Sequence, residues 1–191
     1  MLNIKELNKI KENLEEFDKQ RENIIFLSRI ILKASKSAIY SAHRNDFNTS
    51  KKQIEEAETN IKKAESLFKK DENLRNVGAY SEALEEYVEA KCFYGFMKEK
   101  KLPELAKLAV SPDEYLLGLC DFTGEMARSA VILATNKKFK EVQQIKEIID
   151  EIFGFFSSID LRNGELRKKA DSIKWNLKKI EEILYDISMK K

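Results

Sequence analysis

Leu7, Ile10, Leu14, Phe17 and Ile24 recur at alternating steps of three and four, with Arg21 in one slot, and the series continues through Leu27, Ile30, Ile31, Ala34 and Ala38. The spacing predicts a single helix of about 40 residues from Asn3 to His43, against a usual length of ~11–12. A helix that long implies a bundle or a coiled-coil-like seam. Asn45–Ser50 reads as a turn with capping residues, after which Ile54, Ala57, Ile61, Ala64 and Leu67 mark a second helix to about Lys70. A loop over Asp71–Asn76 precedes a third helix, Gly78–Lys100, with Ala83, Tyr87, Ala90, Tyr94 and Met97 on its apolar side.

Ser111-Pro112-Asp113-Glu114 combines a capping serine, a proline at the first helical position and a glutamate three residues after the serine, so a fourth helix starts there and runs to Ala134. Gly118 and Gly124 lie inside it, each costing about 1 kcal/mol relative to alanine. Either close helix packing or backbone approach to a ligand offsets that cost. A fifth helix covers Lys138–Ser157. A sixth, Asn163–Ser188, carries Leu166, Ala170, Ile173, Leu177, Ile180, Leu184 and Ile187 as its stripe.

Composition agrees with these elements. Six Gly and two Pro in 191 residues leave too few turn formers for a sheet protein, and 42% hydrophobic with 36% charged residues excludes disorder. The expectation is an all-α bundle, residues 1–191 forming one domain. Thirty-five basic against 33 acidic residues leave +2, so polyanion binding requires a local patch. Cys92 and Cys120, without a CxxC, read as buried reduced thiols. No apolar run approaches the ~20 residues of a membrane span and Met1–Ile10 lacks a signal-peptide region, which points to a soluble, cytoplasmic protein.

The chain's single histidine, His43, leaves no ligand set for a ferritin-like di-iron or a zinc site, and reads as a helix-end or hydrogen-bonding group. Carboxylates remain. Glu86 and Glu89 are three apart on the third helix; Asp121 and Glu125 are four apart on the fourth, where Tyr115–Cys120 holds no charge. If those helices are antiparallel neighbours, the four acids converge into an all-oxygen set that suits Mg²⁺ or Mn²⁺ and the hydrolysis of phosphate esters. The alternative is a solvated acidic face, with Arg128 neutralising the acids without any metal. Arg167, Lys168 and Lys169 begin a basic series on the sixth helix, and Arg21, Arg29, Lys33, Lys36 and Arg44 lie on the first. Trp175 and the 11 Phe residues are expected mostly in the core.

Leu27-Ser28-Arg29, Ser35-Lys36, His43-Arg44, Glu86-Tyr87-Val88-Glu89-Ala90 and Tyr115-Leu116-Leu117-Gly118 through Asp121-Phe122-Thr123-Gly124-Glu125 together resemble the translin family, in particular its factor-X branch. Leu166-Arg167-Lys168-Lys169 and Lys178-Lys179-Ile180-Glu181-Glu182 through Tyr185-Asp186 are instead similar to the translin branch. The resemblance covers nearly the whole chain. It implies six or seven helices, a closed octameric barrel, binding of single-stranded RNA or DNA and a Mg²⁺-dependent endoribonuclease (Mn²⁺ as a substitute). By motif, Glu86, Glu89 and Asp121 correspond to catalytic carboxylates, Glu89 and Glu125 to the metal-holding pair, and Arg167 and Lys168 to RNA-touching residues. A non-catalytic nucleic-acid-binding scaffold is the alternative. The chain lacks the extended loop after the third helix and the C-terminal tail of the factor-X branch, and the mixture of motifs implies a homo-oligomer.

Overall fold

The computed structural model describes residues 3–189. Met1, Leu2, Lys190 and Lys191, at the ends of the expected domain, lie outside the described residues. Six helices make up the fold: α1 (Ile4–His43), α2 (Phe47–Phe68), α3 (Gly78–Glu99), α4 (Pro112–Thr135), α5 (Phe139–Ser157) and α6 (Glu165–Met189). There is no strand among the described residues.

The start of α1 is set by Asn3, whose side chain accepts from the Glu6 amide. Asp46 caps α2 in the same way at Thr49, so this helix begins at Phe47, inside the stretch expected to be a turn. The expected loop before α3 is a 3-10 turn, Glu72–Asn76, capped by Asp71. A full capping box starts α4: Ser111 Oγ accepts from the Glu114 amide and the Glu114 carboxylate accepts from the Ser111 amide. That carboxylate also accepts from Arg75 at 2.6 Å, which fastens the turn before α3 to the start of α4.

α1, α2 and α3 pack into one trio and α4, α5 and α6 into another, joined where α3 lies on α4. α3 is therefore covered on both sides, and polar-apolar alternation largely disappears from it; Ala83, Leu84, Tyr87, Val88, Cys92 and Phe93 are all buried. The two cysteines are free and buried as expected, and burial pushes the Cys120 thiol up to about 12. The joint is tight at Gly118, since a Cβ there would stand 2.5 Å from the Glu85 carbonyl oxygen and 2.7 Å from Val88 Cβ. Close packing thus explains this glycine. Gly124 is not crowded, its Cβ position meeting only Asn176 Nδ2 at 3.8 Å.

Trp175 departs from the expectation of a core residue, being 64% exposed, and Phe26 and Phe155 are exposed as well. The inner stripe of α6 runs through Ala170, Ile173, Leu177 and Ile180, which leaves Trp175 on the opposite face. Among the described residues no helix is long and apolar enough to cross a membrane.

Candidate metal and nucleic-acid site

The close α3–α4 approach at Gly118 brings the two carboxylate pairs toward each other. Glu89 is 8% exposed, and Glu86, Asp121 and Glu125 are half-buried around it. The Glu89 carboxyl is pushed up to about 9, first by its burial and then by the negative charges of Glu86, Asp121 and Glu125. Glu86 is raised for the same reasons, burial first, with Lys36 opposing. All four acids therefore share one electrostatic environment at the α3–α4 joint.

Three of the four have basic partners. Lys169, from α6, donates to Asp121 at 2.7 Å and to the buried Glu85 at 2.9 Å. Lys36, from α1, stands 3.8 Å from Glu86. Glu125 pairs with His43 at the end of α1 and with Arg128 at 3.4 Å, and the hydrogen bond from His43 leads the effects that hold its carboxyl below the ordinary value. His43 is fixed in turn by Ser129, 3.4 Å from Nδ1, and by the Phe93 ring, centroids 4.4 Å apart. Glu89 has no ion-pair partner among the described residues. Lys169, Lys36 and His43 are the members of the site that local spacing did not identify as such.

The donor chemistry fits a hard divalent ion, because the acids are all-oxygen ligands and a cation would offset the burial, and then the repulsion, that favour the protonated form of Glu89. As placed, however, no three His, Cys, Asp or Glu side chains among the described residues are gathered to hold a metal. Arg167 and Lys168 are both exposed at the start of α6. Arg167 donates to the Leu161 carbonyl at 3.2 Å and stands 3.8 Å from Asp171, whereas Lys168 has no ion-pair partner among the described residues.

The model of the Translin family matches residues 19–191. The chain belongs to the translin family. Translin of Gallus gallus is 36% identical over 78 residues, a stretch covering 41% of this chain and about a third (34%) of that relative's length. The translin-associated protein X homolog of Schizosaccharomyces pombe is 26% identical over 196 residues, covering 92% of this chain and 84% of the relative. Among solved structures, this translin-family fold is similar to apo-NeC3PO, with a TM-score of 0.87, 28% identity and 97% of each chain covered. It is also similar to AfC3PO in a duplex RNA complex, with a TM-score of 0.86 and 21% identity over 97% of this chain and 98% of the other. The second likeness concerns the fold alone.

Proposed function

We propose that this translin-family chain is a Mg²⁺-dependent endoribonuclease, able to use Mn²⁺, that binds single-stranded RNA or DNA and works as a cytoplasmic homo-oligomer, an octamer. The observation that carries the reading is Glu89, a carboxyl buried among three other acids with no ion-pair partner among the described residues. Such a group is costly for a structural core and useful for metal binding.

Glu89 and Glu125 would hold the ion. Bound there, Mg²⁺ would supply charge neutralisation at the phosphodiester and a more acidic water. Glu86, its carboxyl raised by burial, takes the proton from the attacking water. Asp121, pinned by Lys169, orients that water. Arg167 and Lys168 draw the strand toward a site whose acids alone would repel it. The duplex RNA named with the AfC3PO neighbour makes duplex RNA the second substrate form to assay beside single strands.

A labelled single-stranded RNA is expected to be cleaved in Mg²⁺ or Mn²⁺ and left intact in EDTA, and the double variant Glu89→Ala with Asp121→Ala is expected to be inactive. Persisting cleavage in that variant would rule out the site. A second reading, a non-catalytic nucleic-acid-binding scaffold, is favoured by the partners already on Glu86, Asp121 and Glu125. It predicts RNA retention in EDTA and no cleavage with either metal.

A further inference from the structure

The apolar seam of α1 has two halves with opposite fates. Ile24, Ser28, Ile31, Ser35 and Ala38, at heptad spacing, are buried against the bundle. The same register continues toward the N-terminus through Leu14, Ile10 and Leu7, and there it meets nothing: with Ile4 beside them, these side chains are 44% (Leu7) to 63% (Ile4) exposed. Phe17, half-buried, marks the crossover. Before it no side chain of α1 is buried, so several turns of helix carry an uncovered apolar edge.

We infer that the N-terminal half of α1 is an interface, packed along this seam onto α1 of a second copy of the chain. The inference rests on the self-assembly part of the reading above and not on its chemistry. A heptad edge is complementary to another heptad edge, because each apolar knob needs a hole of four side chains at the same repeat. The flanks select the same partner. Lys5, Lys9 and Lys11 are outnumbered by Glu6, Glu12, Glu15 and Glu16, so this segment offers no net positive charge to a polyanion or an acidic membrane. Glu6 and Lys11 occupy opposite flanking positions of the repeat, so a second α1 laid alongside in the same direction meets unlike charges. The seam is also narrow and continuous with buried packing, which suits one helix rather than a bilayer.

The test uses the full chain. Light scattering of wild type is expected to give a mass well above the 22.2 kDa of one chain, and the double variant Leu7→Glu with Leu14→Glu a smaller one. These positions precede the bundle, so helicity and the thermal midpoint of each subunit are expected to survive, which circular dichroism checks. A photo-crosslinking residue in place of Ile10 is expected to give a product of twice the chain mass. If wild type is a monomer, self-assembly and this interface fall together. If wild type assembles and the double variant keeps the full mass, or the photoproduct contains RNA or another protein, the interface alone is overturned.

Discussion

Glu89 is the residue at which burial and charge are in open conflict, and that conflict can be measured. Its carboxyl titrates near 9 in the folded chain against an ordinary value of 4.5. The folded state therefore binds the proton more tightly than the unfolded state between those values, and stability falls as pH rises through that window. In EDTA, the thermal midpoint is expected to drop from about pH 6 to about pH 9, and Glu89→Gln to flatten the curve and be the more stable protein at the upper end, by roughly 1–3 kcal/mol. Mn²⁺ added at the alkaline end should raise the wild-type midpoint and leave Glu89→Gln nearly unmoved. A wild-type midpoint independent of both pH and Mn²⁺ would sink the assignment of Glu89. The four acids were legible in the sequence because three- and four-residue spacing fixes a shared helix face. Their partners were not: Lys169 lies 48 residues from Asp121 and His43 lies 82 from Glu125, and pairing over such separations depends on how whole helices cross.

Elements were far easier to read, and the reason lies in how local their signals are. The length of α1 and the start of α4 follow from a seam interrupted at Arg21 and from a capping box, each readable within a few turns. Fold and sequence pattern part company where one side chain redefines a boundary, as Asp46 does for α2, or where an aromatic residue faces outward, as Trp175 does. The two glycines of α4 looked alike in the sequence and differ in the fold. Gly118→Ala is expected to destabilise the protein, since the methyl group would press on the Glu85 backbone and Val88, and overpacking of this kind costs roughly 1–3 kcal/mol. Gly124→Ala would make only an ordinary contact with Asn176 and is expected to stabilise by up to about 1 kcal/mol through helix propensity. Chemical denaturation of both variants tests the pair. Equal effects of the same sign would mean that Gly118 is not a tight point of the α3–α4 joint.

At the scale of the molecule, a net charge of +2 is too small to hold a nucleic acid by a general field, so affinity must come from where the positive groups stand. The run Arg167-Lys168-Lys169 is divided by the fold. Lys169 turns inward and its ammonium is engaged by Glu85 and Asp121, which hold it protonated well above its ordinary value despite partial burial. Lys168 and Arg167 face solvent, and of the two Lys168 is the less engaged within the chain. Each phosphate of a single strand neutralised by a lysine adds about 0.7 to the dependence of log affinity on log salt. Lys168→Ala is therefore expected to weaken binding of single-stranded RNA, in a fluorescence anisotropy titration over a salt series, and to reduce that slope by about 0.7. Its Mn²⁺ binding should be unchanged, because no acid of the α3–α4 cluster relies on it. Lys169→Ala is expected to behave in the opposite sense, keeping the salt slope while altering Mn²⁺ affinity, since it removes the cation that holds Asp121. If the two variants instead shift both measurements together, then strand binding and the acid cluster are one surface, and the division of the basic run between an outer and an inner role is wrong.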